Sequence, residues 1–506
     1  MFSKVLSFGI RGIEGFCVNV EADISDGMPV FELVGYLSGE VREARERVRT
    51  ALRNCGYDFP VKRITLNLSP GNIRKQGTGY DLPMAMALLA AMGEIEADGL
   101  AGTMVIGELK LNGEVGRIDG VLPMVICARK SGIKRCIVPA GNAAEGAMVD
   151  GVDIIAVSDL KQAVDHLNGT ALIKPYERKE SPGNGTGKEG ADLKYVRGQA
   201  MARRGLEIAA CGMHNLLMVG APGAGKSMLA KCLPTILPPL TGEEALEVSS
   251  VYSVAGLLGE DSELMDLRPF VSPHHTVTDI AMIGGGSYPR PGNISLAHRG
   301  VLFLDEMAEF SRYTLEALRQ PLEDRKITIN RNYGTYVYPA DIMLVGAMNP
   351  CPCGAYPDIA RCSCTETSRR KYMSRLSRPL LDRMDICVDV HRLGYEDMMS
   401  TGEAEPSSAV RERVIRTHRI QNERFAGSGI LFNSQMDSKM LGRYCALSGE
   451  VRDWFAGVLK QMDISARGYG KILKVARTIA DIDEREEIGR EHLAEAVSFN
   501  NSQIMG

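Results

Sequence analysis

Three short apolar runs stand out along the middle of the chain: "NLLMV" at 215–219, "GVLFL" at 300–304 and "DIMLVGAM" at 341–348. Runs of this length, bounded by glycine and charge, read as strands buried inside a sheet. A helical pattern, "KSMLAKCL", follows the first almost at once, so the region reads as an α/β module. Earlier in the chain, "SGEVREARERVRTALRNCG" carries helical spacing. Its Arg42, Arg45, Arg49 and Arg53 recur at steps of three, four and four and so share one face. Two stretches lose the apolar period altogether. "YERKESPGNGTGKEGA" at 176–191 is rich in Gly, Pro, Ser and charge, and lies in a linker placed at 171–191. "STGEAEPSSA" at 400–409 is a shorter break, after which the pattern is helical to the end. The expected layout is an N-terminal domain over 1–170, an α/β core over 192–399 and a helical region over 400–506, with no internal repeat.

A chain of 506 residues is expected to divide into two or three domains, and 44% hydrophobic with 24% charged residues is ordinary for a globular protein. The formal charge of -4 gives no global basic signal, so nucleic acid would have to be met by a local surface such as a ring lumen. No apolar run reaches membrane-spanning length and the start reads as no signal peptide, so a cytoplasmic protein with no membrane partner is expected. Disulfides are disfavoured there, and clustered cysteines more often bind metal.

The strongest chemical signal is Gly220-Ala221-Pro222-Gly223-Ala224-Gly225-Lys226-Ser227, a G-x-x-x-x-G-K-[ST] loop between a strand and a helix. Its backbone N–H groups and the helix N-terminus would cradle phosphates, Lys226 would reach the β- and γ-phosphates, and Ser227 would hold Mg²⁺. Asp305 and Glu306 close the second apolar run. Asp305 suits Mg²⁺ through water, and Glu306 suits a general base that orients an attacking water. Asn349 closes the third run, where an amide can contact the γ-phosphate. Arg383, in "SRPLLDRMDICVDV", is placed either to reach a neighbouring subunit's ATP or to form a surface salt bridge.

Four of the twelve cysteines, Cys351, Cys353, Cys362 and Cys364, form C-x-C-x8-C-x-C directly after Asn349. Four thiolates can close a tetrahedral shell around Zn²⁺ as a structural staple. An iron–sulfur cluster would use the same ligands, and four reduced thiols are the plain alternative. The eight scattered cysteines read as small buried hydrophobes. Adjacent His274 and His275 lack an evident third ligand and read as structural or coupling residues. The arginine stripe, extended by Arg74 and Lys75, would track a nucleic-acid backbone or else be a solvated face paired with Glu40, Glu43 and Glu46.

Together "VRGQAMARRGLEIAACGMHNLLMVGAPGAGKSMLA", "RPFVSPHHTVTDIAMIGGGSYPRPGNISLAHRGVLFLDEMAEF", "LRQPLEDRKITINR", "NPCPCG", "RLSRPLLDRMDICVDV" and "SARGYGKILKVARTIADI" resemble the magnesium-chelatase-like AAA+ ATPases, and more closely the YifB/ComM family. The resemblance spans nearly the whole chain. It implies Asn349 as sensor 1, Arg383 as arginine finger and Arg467 as sensor 2, with Arg477 as the alternative. The family commonly has Glu where Asn293 stands here. The N-terminal region resembles the Lon-protease-like domain of ribosomal S5 type, carried by "GIEGFCVNVEADISDGMPVFELVGYLSGEVREARERVRTALRNCGYDFPVKRITLNLSP" and "GTGYDLPMAMALLAAMGEI". The peptidase serine would follow Lys75-Gln76-Gly77-Thr78, where Gly79 stands, and Leu122 occupies the position of the dyad lysine. No peptidase activity is therefore expected.

The implied fold is a multidomain α/β and α+β protein: a Lon-like α+β domain, an AAA+ P-loop α/β core and a C-terminal helical lid. The implied activity is ATP hydrolysis with Mg²⁺ by a homo-hexameric ring acting on branched or forked DNA, in branch migration during recombination and natural transformation. The alternatives are a protein-remodelling ATPase, a magnesium-chelatase subunit and an ATP-dependent protease.

Overall fold

A computed structural model describes residues 1–178, 191–392, 404–462 and 464–500, with only the backbone at 97 and 98. Most of the linker and the first residues of the break at 400–409 lie outside the described residues.

The chain opens with strands Phe2–Arg11 and Glu14–Ser25, paired antiparallel around Gly12. In the second, Val18, Val20, Ala22 and Ile24 alternate into the core, as a strand with one buried face requires. These two strands sit inside a seven-stranded sheet with Val30–Val34 at one edge and Asp153–Val157 at the other. Helix Asp81–Met92 ("DLPMAMALLAAM") is apolar on nearly every side because it lies between the sheet and helix Gly39–Asn54.

The second sheet has five strands in the order Phe270–Val271, Val301–Leu304, Met343–Met348, Leu216–Gly220, Ile386–Val390. Every pairing in it is parallel. All residues of Val301–Leu304 and Met343–Met348 are buried, which is why these segments read as unbroken apolar runs. The strands' C-terminal ends share one edge, where open parallel sheets place their sites. Asn215 fastens the opposite edge: its side chain donates to Arg383 O (2.8 Å) and accepts from Leu344 N (2.8 Å).

Helices Ser407–Arg424, Ser438–Tyr444, Gly449–Gln461, Ala466–Ile482 and Arg490–Ser498 follow. Their Phe425, Phe455, Val475, Ile479 and Leu493 join Leu206, Ile208 and Val388 of the sheet module in one apolar core. The first of these helices begins inside the break read from the sequence. Ser407 is held there by its own N–H to Asp192 Oδ1 (2.9 Å) and by Leu193 N–H donating to its hydroxyl (2.9 Å). Fold class is thus mixed α/β in several domains, with a parallel-sheet core and C-terminal helices. Among the described residues, no helix is long and apolar enough to cross a membrane.

The N-terminal region is docked on the core. Helix Val121–Lys130 packs against helix Gly242–Ala255, and Ser253 Oγ donates to buried Glu145 (2.5 Å). The hairpin Lys326–Arg331/Gly334–Pro339 meets it too, through Arg11 Nε to Thr335 O (3.0 Å) and Gln76 Nε2 to Tyr336 Oη (3.1 Å).

Candidate nucleotide-binding site

Strand Leu216–Gly220 ends in the glycine-rich loop, and helix Lys226–Ile236 starts where it closes. Gly225 turns into the left-handed region (φ +96°) at the helix N-cap, and no side chain caps that end. The first turn therefore keeps its N–H groups for a ligand, and it carries no acidic residue. Lys226 Nζ donates to Gly220 O (2.5 Å), Ala221 O (3.0 Å) and Asn349 Oδ1 (3.1 Å). Burial pushes its pKa down, against the pull of Asp305 and Glu306.

Four sequence-predicted residues thus meet at one sheet edge. Ser227 Oγ donates to Asp305 Oδ2 (2.6 Å), a hydroxyl and a carboxylate placed side by side as hard oxygen ligands. Glu306 is in the left-handed region (φ 50°, ψ 46°) although it is not glycine, and its side chain is 61% exposed. Such a backbone costs energy, and the carboxylate it carries stays largely exposed. His275 Nδ1 lies 3.9 Å from Glu306 Oε2, with its ring edge toward Phe310 and His274 beside it. The sequence singled out the histidine pair but carried no signal for its carboxylate partner, about thirty residues away. Asn293, in the position where the family commonly has Glu, donates to Ala281 O (2.9 Å).

Arg383 and Arg467 lie elsewhere. Arg383 sits beside Asn215, at the N-terminal end of the strand whose C-terminal end carries the loop. Five strand residues at about 3.3 Å each set the two ends roughly 16 Å apart. Arg383 is paired with Glu323 and donates to Pro379 O (2.7 Å). Arg467, 72% exposed, is 3.5 Å from Asp382. Both arginines line one 970 Å³ cleft with Arg325, Arg452, Lys471 and Lys474. Arg477, the alternative to Arg467, is buried and spent on Asp481 Oδ1 (3.0 Å), Glu486 O (2.6 Å) and Arg485 O.

The Sγ atoms of Cys351, Cys353, Cys362 and Cys364 all lie within 4.8 Å of one another. Three of the separations are 3.4, 3.6 and 3.8 Å. A tetrahedral shell with metal–sulfur bonds of about 2.3 Å puts its sulfurs about 3.8 Å apart. The donor set therefore fits a thiophilic ion. The scattered cysteines follow the expectation only in part: Cys136, Cys211, Cys232, Cys387 and Cys445 are buried, Cys55 and Cys127 are half-buried, and Cys17 is exposed.

In the N-terminal region Thr78 Oγ1 donates to Glu108 Oε2 (2.7 Å), Leu122 is buried, and Gly79 stands where a nucleophile would. The basic stripe is less free than its spacing implied. Arg49 and Arg53 lie over Phe59, Arg45 pairs with Glu46 (3.1 Å), and Arg42 is exposed. The expected extension fails, because Lys75 is fully buried and Arg74 stacks on Tyr333, 3.6 Å from its centroid. Sequence reading also passed over Arg47, which binds buried Asp81 (2.7 Å).

Comparison with known proteins agrees with this arrangement. Family models described as magnesium chelatase subunit ChlI match residues 192–398 and 20–142, and one for the C-terminal part of that subunit matches 404–500. An uncharacterized protein of Mycobacterium tuberculosis is 41% identical over 500 residues, 99% of this chain and 98% of its own. The competence protein ComM of Haemophilus influenzae is 40% identical over 502 residues, 98% and 96% of the two chains. YifB of Escherichia coli, itself uncharacterized, is 40% identical over 489 residues, 96% and 95%. A shorter similarity, 34% over 134 residues, links 26% of the chain to 24% of Lon protease 2 of Bacillus subtilis. The chain belongs to the YifB/ComM family of magnesium-chelatase-like AAA+ proteins.

Proposed function

We propose that this protein is an ATP-hydrolysing ring motor, a homo-hexamer, that acts on branched or forked DNA. The observation that carries the ring is the separation of its two halves. Lys226, Ser227, Asp305, Glu306 and Asn349 gather at one end of the sheet, and Arg383 and Arg467 share a cleft at the other. An arginine on the far side of its own sheet meets a nucleotide only by reaching a neighbour's.

In this reading Gly220 to Gly225 wrap the phosphates and Lys226 contacts the terminal ones. Ser227 and Asp305 would hold Mg²⁺, which supplies positive charge to the phosphate oxygens. Glu306 takes a proton from the attacking water, Asn349 orients that water or the γ-phosphate, and Arg383 and Arg467 stabilise charge on the neighbour's nucleotide. The cysteine quartet would hold a structural Zn²⁺. The N-terminal region hydrolyses no peptide bond, because Gly79 and Leu122 offer neither nucleophile nor base. The choice of DNA is supported by the likeness to ComM and by exposed Arg42, Arg45 and Arg53.

The test is phosphate release and strand displacement on forked and four-way DNA, with Lys226→Ala as control. DNA-stimulated hydrolysis, with displaced product only when ATP and Lys226 are both present, is the expected result. Hydrolysis that ignores DNA but rises with peptide would sink the DNA reading and favour protein remodelling.

A further inference from the structure

The loop that carries the cysteine quartet lies against the phosphate loop. The cysteine loop leaves strand Met343–Met348 at Asn349, whose amide accepts from Lys226, and regular structure resumes only at Glu366. Between these points the backbone is held by single turns, such as Gly354 N–H to Cys351 O (3.0 Å) and Cys362 N–H to Asp358 O (2.8 Å). A loop of that length with so few bonds has little to offset its ordering entropy. Yet it has a defined job against the phosphate loop. Gly354 is in the left-handed region (φ +75°), and a Cβ there would stand 2.3 Å from Pro222 Cδ and 2.6 Å from its Cγ. Only glycine lets the loop backbone approach the proline ring so closely. Just beyond, Ala355, Tyr356 and Asp358 line a 780 Å³ cavity together with Gly220 and Ala221.

We propose that Zn(II), bound by Cys351, Cys353, Cys362 and Cys364, holds this loop as a brace. Gly354 then supports Pro222 from outside, and Asn349 is set on Lys226 from within. Metal occupancy thereby sets nucleotide affinity. The inference rests on the reading of Gly220–Ser227 as the nucleotide loop. Binding displaces the protons of the ligating thiols and changes no oxidation state. Gly354 and Pro222 act here as positioning residues.

The experiment uses the full-length protein, loaded with Zn(II), stripped with a chelator under reducing conditions, and reloaded. Zinc is counted per chain with a chromogenic dye, and the Kd for a fluorescent ADP analogue is measured in each state. One zinc per chain is expected, with stripping raising Kd about tenfold or more and reloading restoring it. Cys353→Ser/Cys364→Ser should resemble the stripped protein. Gly354→Ala should keep its zinc and still bind nucleotide about tenfold more weakly, which separates bracing from folding. A quartet that takes no zinc, or that carries iron with visible charge-transfer absorption, overturns the proposal. So does a Kd that moves less than about twofold on stripping. Zinc-loaded protein that binds no nucleotide, with the same result for Lys226→Ala, refutes the nucleotide-loop reading and removes the basis of the brace.

Discussion

Two loops in this protein are built from the same parts and differ in what is left open. Each holds a lysine and glycines and runs into a helix: Gly220–Ser227 into Lys226–Ile236, and Lys75–Gly79 into Asp81–Met92. In the first, Lys226 donates to Asn349 in the site and no acid stands in the first turn. In the second, Lys75 is fully buried against Pro70 O, and Thr78 is taken by Glu108. The helix end there carries its own carboxylate, Asp81, which Arg47 and Leu109 N–H already satisfy. An anion arriving at the first loop finds an acid-free helix end and a lysine held only by neutral oxygens, whereas one arriving at the second finds a carboxylate already in place. A glycine-rich turn before a helix is therefore not enough for a phosphate site. The helix end must also be free of a carboxylate of its own.

Lys226→Ala should break the comparison most severely. Phosphate release is expected to fall on the order of a thousandfold, since a preorganised charge on the transferring group is lost. Lys75→Met, its counterpart, should leave hydrolysis within about twofold, because the residue faces no ligand. Arg47→Ala tests the second loop on its own ground. It strands the Asp81 carboxylate among buried apolar residues and should cost about 3 kcal/mol in chemical denaturation of the N-terminal transition. If nucleotide affinity also fell in Arg47→Ala, the two loops would not be independent.

The smallest effect is one of pH. Burial lowers the pKa of Lys75 below its ordinary value of 10.5. The unfolded chain then binds more protons than the folded one between the two values, so stability rises with pH across that alkaline window. Lys75→Met should flatten the rise in urea midpoint as pH climbs toward 10.5, relative to the parent chain. An unchanged slope would mean that Lys75 is solvated.

Features that are contiguous in the chain were legible before any fold was known. The apolar runs at 301–304 and 343–348 read as buried strands, because no alternation of polar residues was available to face water. The loop Gly220–Ser227 was legible because its chemistry is local. Backbone donors, lysine and hydroxyl lie within eight consecutive residues. Even the cysteine quartet was visible in its spacing. The partner of each long or distant side chain was legible only in the packed molecule. Arg467 and Arg477 sit ten residues apart in one helix. Folding buries the second on Asp481 and leaves the first beside Asp382 in the same cleft as Arg383. Lys75 sank while Lys226 stayed at its site, His275 came to rest against Glu306, and Gly354 came to rest on Pro222. Local propensity fixes which elements form. Which charge is paired, which donor is spent and which wall stands behind a loop depend on residues far apart in the chain, and only packing brings these together.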